Sequence, residues 1–139
     1  MATIERHVTR DLVSLDAHVS CRESARAMFE RRIGSIAVRQ NGSVVGLVTE
    51  RDLVARVLAS GASSQLPIGE AMRRGLPTVA CTATDVECAE LMRANFSRHL
   101  LVAQDGHTIG VVSMRDVIAL MLEEKEFLID QLQTYINGR

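Results

Sequence analysis

Two stretches of the chain place a hydroxyl, a guanidinium and a carboxylate within four residues. They are Thr49-Glu50-Arg51-Asp52 and Ser113-Met114-Arg115-Asp116. Each follows a glycine and an apolar pair, Gly46-Leu-Val and Gly110-Val-Val. The apolar run reads as a strand that turns directly into a helix. Free N–H groups at a helix start attract phosphate. Thr49 or Ser113 adds a hydroxyl to that environment, and Arg51 or Arg115 can neutralise the anion's charge. The carboxylate of Asp52 or Asp116 can accept both hydroxyls of a ribose diol, a use of acidic residues also met in dinucleotide folds. Gly46 and Gly110 permit close approach of another backbone or of a ligand. There is also a plainer use: S/T-x-x-D is close to a capping box, so these residues can cap a helix and do nothing else. The two roles are compatible, and recurrence of the pattern favours ligand binding.

Other chemistry is poorly represented. His7, His18, His99 and His107 have no i, i+4 pairing and no cysteine at ligand spacing, which argues against a metal site. Cys21, Cys81 and Cys88 form an odd set without CxxC spacing, so reduced, buried thiols in a cytoplasmic protein are expected. No nucleophile–base arrangement, P-loop or GxGxxG pattern is present, and a non-enzyme is expected. The 16 basic and 17 acidic residues leave a net charge of -1, which does not suggest nucleic acid or an anionic membrane. No apolar run approaches the ~18 residues of a membrane span, and MATIERHVTRD lacks a signal peptide's apolar core.

The elements that position the motifs come from an internal repeat. Shifted by 64 residues, positions 12–53 match 76–117 without gaps, with 11 of 42 identical. In each copy, S/T-x-x-E (Ser20 to Glu23, Thr84 to Glu87) opens a helix as a capping box. Cys21, Ala25, Met28 and Phe29, or Val86, Ala89, Met92 and Phe96, follow at helical spacing. Apolar runs at 35–39 and 99–103 lead to Asn41-Gly42 and Asp105-Gly106, the strongest short hairpin signal. A second strand and a second helix complete each copy, and a short strand near 12–15 or 76–80 precedes its first helix. The fold class is therefore α+β or α/β, with two β-α-β-β-α units related by a pseudo-two-fold and a C-terminal helix. Expected boundaries are 1–61, a polar linker at 62–67, 68–122, and an extension at 123–139. The segment around Glu70, Met72, Arg73 and Arg74 could face phosphate at the seam, but reads first as a solvated linker end. A unit of this size is marginal alone, so two fused copies should cover each other's faces and form equivalent clefts at the seam.

The repeated G-h-h-[ST]-x-R-D elements resemble those of a tandem pair of cystathionine-β-synthase (CBS) domains, a Bateman module. Arg98-His99-Leu100-Leu101-Val102 and Gly69-Glu70-Ala71-Met72 are also similar to the family's pattern. The resemblance covers nearly the whole chain. It implies an adenosine-bearing regulatory ligand such as AMP, ADP, ATP, S-adenosylmethionine or NAD(H), with no cofactor required. It also implies that Arg98 and His99 line the adenine and phosphate part of a cleft. Their counterparts Gly34 and Ser35 carry no charge, and Ile36 follows them. Ser14 and Thr78, near the first strands, are further candidate contacts. The family often has Pro where this chain has Ala37 and Leu101, which bears on the adenine wall.

Residues 114–136 read as one helix with an acidic polar face and a stripe through Ile118, Met121, Leu122, Leu128, Ile129, Leu132 and Ile136. The stripe must bury against its own module or a second subunit, and the resemblance favours a homodimer. The expected protein senses an adenosyl ligand and signals to a separate protein partner. The competing expectation is an interaction protein that keeps the fold without the ligand.

Overall fold

The computed structural model describes residues 2–138. The chain folds into two compact units, one comprising residues 11–76 and the other residues 1–10 with 77–139. They are called here the copy-one and copy-two units.

In the copy-one unit, β1 (Ser14–Asp16) lies parallel to β2 (Ser35–Gln40), which pairs antiparallel with β3 (Ser43–Thr49). Helix α1 (Cys21–Arg31) connects β1 to β2, and α2 (Glu50–Leu53) follows β3. The copy-two unit repeats this with β4 (Thr78–Ala80), α4 (Asp85–Ala94), β5 (His99–Gln104), β6 (His107–Ser113) and α5 (Met114–Ile136). Each sheet carries an irregularity at the same place, between Val38 and Arg39 and between Val102 and Ala103. Both hairpin turns have positive φ at both central residues, 53° and 78° at Asn41-Gly42 and 51° and 78° at Asp105-Gly106. That backbone matches strand twist, and Asn-Gly and Asp-Gly adopt it at low cost.

The repeat boundaries expected from the sequence do not coincide with these packing units. The segment that opens each copy packs against the other copy's sheet. Ile4, in a 3-10 turn over Ile4–His7, is fully buried with Cys88, Met92, Leu100 and Val112. Its counterpart Ile68, in α3 (Ile68–Ala71), is fully buried with Cys21, Met28, Ile36 and Val48. Backbone bonds fix both straps: Thr9 and Val111 exchange two, of 2.9 and 3.1 Å, and Arg73 N–H donates to the Leu47 carbonyl at 3.1 Å. Residues 62–67 are tied as well, since Arg22 N–H donates to Ser64 O and Cys21 N–H to Leu66 O. Met72 lies in the core, so the stretch after the linker is not a solvated end.

Gly46 and Gly110 are explained by these straps. A Cβ at Gly110 would overlap the Thr9 carbonyl oxygen and lie 2.6 Å from Val8 Cγ1. At Gly46 it would lie 2.8 Å from Met72 Sδ and 2.9 Å from the Arg73 carbonyl oxygen. Close approach of backbone, one of the two uses foreseen for these glycines, is the one the packing requires.

The helical stripes differ by one position from expectation. Phe29 and Phe96 are 85% and 93% exposed, and Ala25 and Val86 also face outward. The buried face of α1 is Cys21, Ser24 and Met28, and that of α4 is Asp85, Cys88 and Met92. A small serine beside the cap reads as polar surface in a sequence, whereas the i, i+4 row beneath Met28 requires it inside. Phe96 also lies beyond the end of α4, with φ of 50°. The tail does not bury its stripe: Ile118, Leu122, Leu128, Ile129, Leu132 and Ile136 are exposed.

Candidate functional site

The candidate site in each unit sits at one end of its sheet, where a central strand begins and an edge strand becomes a helix. Ser35 opens β2 opposite Thr49, the last residue of β3. In the other unit His99 opens β5 opposite Ser113. The next helix is tied to the residue before each central strand, through Glu50 N–H to Gly34 O at 3.0 Å and Met114 N–H to Arg98 O at 2.8 Å. These bonds confirm that Gly34 and Arg98 are equivalent.

Thr49 and Ser113 both cap their helices. Asp52 N–H donates to Thr49 Oγ1 at 3.2 Å, while Thr49 N–H and Oγ1–H donate to Asp52 Oδ2 at 2.9 and 3.0 Å. The Ser113–Asp116 box has the same bonds at 3.2, 2.7 and 2.8 Å. Each carboxylate thus gives Oδ2 to the cap, and Oδ1 is left for another donor. The capping expectation is met in both copies. Arg51 and Arg115 stand exposed on the first turns, and Arg98 is exposed beside its strand. None of the three has an ion pair among the described residues.

The remaining candidates separate. Ser14 and Thr78 are the first residues of β1 and β4, two positions inside the sheet end because they pair with Ala37 and Leu101. The Ser14 hydroxyl accepts from Arg39 Nε at 2.7 Å; Thr78 is exposed. His99 is half-buried, and its N–H donates to the buried Ser97 hydroxyl at 3.3 Å. Ile36 is fully buried within the copy-one core, so its side chain serves packing and is not offered to a ligand. Strand alternation is the reason: Ser35 and Ala37 face one way and Ile36 the other.

Two residues were not singled out from the sequence, Glu50 at this end and Arg39 near the hairpin turn. The Glu50 carboxylate lies against Gly34, with its Cδ 3.5 Å from where a Cβ would stand. The equivalent corner of copy two has Arg98 and Met114. One sheet end therefore has an acid at its corner and the other a base. The signal was the variable position inside the repeated motif, Glu50 against Met114. Arg39 is the second: the register pairs it with Asp16, and its side chain reaches the Ser14 hydroxyl.

Among the described residues, no group of three or more His, Cys, Asp or Glu could hold a metal ion, and no helix is long and apolar enough to cross a membrane. The three cysteines are free and buried. Burial raises the Cys88 thiol to about 11, with the Glu87 and Asp85 charges adding to the shift.

The family model described as "CBS domain" matches residues 4–59 and 68–123. The chain is 29% identical over 122 residues to the mitochondrial CBS domain-containing protein CBSX3 of Arabidopsis thaliana, covering 84% of this chain and 59% of that protein. It thus spans about three-fifths of that relative's length. A solved structure of a conserved protein from Pyrococcus horikoshii superposes with a TM-score of 0.79 at 28% identity, covering 85% of this chain and 90% of that one. A CBS-domain containing protein from Agrobacterium tumefaciens superposes with a TM-score of 0.77 at 31% identity, covering 87% and 95%.

Proposed function

The chain belongs to the CBS-domain family, and from that premise we propose that it is a ligand-sensing regulatory module for an adenosine-bearing molecule. The observation that carries this reading is the repeated constellation at the two sheet ends. Each has a cap that positions an aspartate, a second carboxylate oxygen free for a diol, and an arginine without a counter-charge. Copy two is the better anion site. Arg98 and Arg115 flank the start of a 23-residue helix there, where unpaired N–H groups favour phosphate. At copy one, Glu50 opposes a phosphate and Arg51 alone favours it.

The three free thiols suit a reducing compartment such as the cytoplasm. The output would be a shift between two states of the protein, read by a separate partner. That shift is limited by the ligand's differential affinity, typically ~1–3 kcal/mol.

A second reading has its own observation. The two capping boxes account for Thr49, Asp52, Ser113 and Asp116 without any ligand. A protein that used its surfaces only for interaction would keep them. Thermal shift with AMP, ADP, ATP, S-adenosylmethionine and NADH separates the two. Sensing requires that at least one raises Tm by mass action, and that Asp52→Asn with Asp116→Asn removes the shift. If no adenosyl ligand moves Tm, the interaction reading stands in its place.

A further inference from the structure

Helix α5 leaves its own module partway along. Val117, Leu120 and Met121 pack in the copy-two core. The next turn holds the N-terminal strap: Glu123 Oε2 accepts from Arg6 at 3.5 Å and lies 3.2 Å from His7 Nε2, and Glu124 Oε1 accepts from Ala2 N–H at 2.6 Å. Beyond Glu124 the helix runs about three more turns, to Ile136, and is exposed throughout. No side chain from Lys125 to Ile136 forms an ion pair among the described residues.

Ile118, Leu122, Lys125, Ile129, Leu132 and Ile136 follow one another at spacings of 4, 3, 4, 3 and 4, a heptad stripe. Its five apolar members are 43–78% exposed. The charges around the stripe say what would cover it. Glu126 borders one side with Asp130 beyond it, Leu128 and Tyr135 border the other, and Lys125 interrupts the middle. A second copy is a poor match. In an antiparallel pair like edges meet, so the Glu126 and Asp130 carboxylates of both copies would share one edge. In a parallel pair opposite edges meet, so those acids would lie against Leu128, and two Lys125 ammoniums would share one layer. Either arrangement sets like charges together or strips water from unpaired ones. A foreign helix has neither defect if it carries arginine or lysine on the edge facing Glu126 and Asp130, and one carboxylate in the layer of Lys125.

We propose that the outward face of α5 is the docking site for an amphipathic helix of another protein, basic along one edge and acidic at a single core position. Lys125 fixes the register, as a lone polar core residue does in a coiled coil. The inference stands apart from ligand sensing, because no stripe residue belongs to the candidate site and docking is read with no nucleotide present.

Fluorescence anisotropy of labelled synthetic helices, titrated with the full chain, tests it. Two peptides of about four heptads share a leucine stripe with one core glutamate and differ only in the edge, arginine in one and glutamate in the other. The arginine peptide should bind at micromolar concentration, and the glutamate peptide about tenfold more weakly. Glu126→Arg with Asp130→Arg should reverse that order. Lys125→Glu should weaken the arginine peptide, and a lysine in place of the peptide's core glutamate should restore it. Ile129→Glu with Leu132→Glu should remove binding while the thermal transition, followed by circular dichroism, persists. The proposal is overturned if neither peptide binds or if binding ignores the edge charge. It is also overturned if sedimentation equilibrium shows a dimer that Ile129→Glu with Leu132→Glu dissociates, which would give the face to a second copy. Adsorption of the chain to phosphatidylcholine vesicles, abolished by the same variant, would give it to a membrane and equally overturn the proposal.

Discussion

The helices that follow β3 and β6 start alike and end differently. Both begin with a capping box of the same bonds, one over Thr49–Asp52 and the other over Ser113–Asp116. After β3 the α-helix lasts four residues and passes into a π-helical stretch over Val54–Leu58. Ala59 N–H and Ala62 N–H reach back five residues, to Val54 O and Val57 O. The Ser60 hydroxyl donates to Arg56 O at 2.6 Å, and Gly61 turns the chain with φ of 75°. The counterparts in copy two are Glu123, Glu124 and Lys125, good helix formers, and α5 runs on to Ile136. The repeat thus sets the start of each helix and the sheet end it serves. A glycine and a serine decide whether the helix stops or becomes a surface of its own.

The largest break in this symmetry is expected at the two glycines. Gly110→Ala would press a methyl into the Thr9 carbonyl and the Val8 side chain. Gly46→Ala meets the Met72 thioether, which can rotate, before the Arg73 carbonyl. Urea unfolding should show a loss of about 3 kcal/mol for the first and about 1–2 kcal/mol for the second. Equal losses would show that both straps yield alike.

Next comes the alkaline limb of the stability curve. Cys88 in copy two is fully buried, and its thiol is raised from 9.0 to about 11. The folded protein keeps a proton that the unfolded chain releases. Stability from this group is therefore full below pH 9 and falls as pH rises towards 11, by about 2–3 kcal/mol in all. Urea midpoints between pH 8 and 11 should drop in the wild type. The drop should be shallower in Cys88→Ala, whatever that variant loses at neutral pH.

A smaller effect separates the two sheet ends. If Arg98 favours phosphate at copy two, Arg98→Ala should weaken ATP about tenfold, near the ~1.4 kcal/mol of one charge-assisted contact. If Glu50 opposes it at copy one, Glu50→Gln should strengthen ATP there by a few-fold. Titration calorimetry on both variants reads this. An unchanged affinity in both would remove charge as the difference between the copies.

Much of this was legible in the sequence because it repeats. The 64-residue shift carried the hairpin turns, both capping boxes and the equivalence of Gly34 with Arg98. The straps were not legible, because a contiguous repeat suggests contiguous packing. The buried pair Ile4 and Ile68, with the backbone bonds of Thr9 and Arg73, reveals that each copy's opening segment crosses to the other sheet. Glu50 is not legible because a position that differs between the two copies carries no repeat signal of its own. Phe29 and Phe96 read as core residues in the sequence because apolar character outweighs phase in a short helix.

The smallest expected effect also comes from a misread phase. Ser24 and Cys88 occupy equivalent, fully buried positions under Met28 and Met92. Among the described residues the Ser24 hydroxyl has no hydrogen-bond partner, and an unsatisfied buried hydroxyl costs about 1–3 kcal/mol. Copy two shows that the same helix position accepts a thiol with no residual exposure. Ser24→Cys should therefore stabilise the protein by about 1 kcal/mol at neutral pH, read as a higher urea midpoint. It should also bring copy two's weakness into copy one: a second buried thiol steepens the loss of stability above pH 9. A variant stabilised at pH 7 without that steeper fall would place the new thiol in contact with water. A variant that is not stabilised at all would mean that the two cores differ in shape beneath their shared pattern.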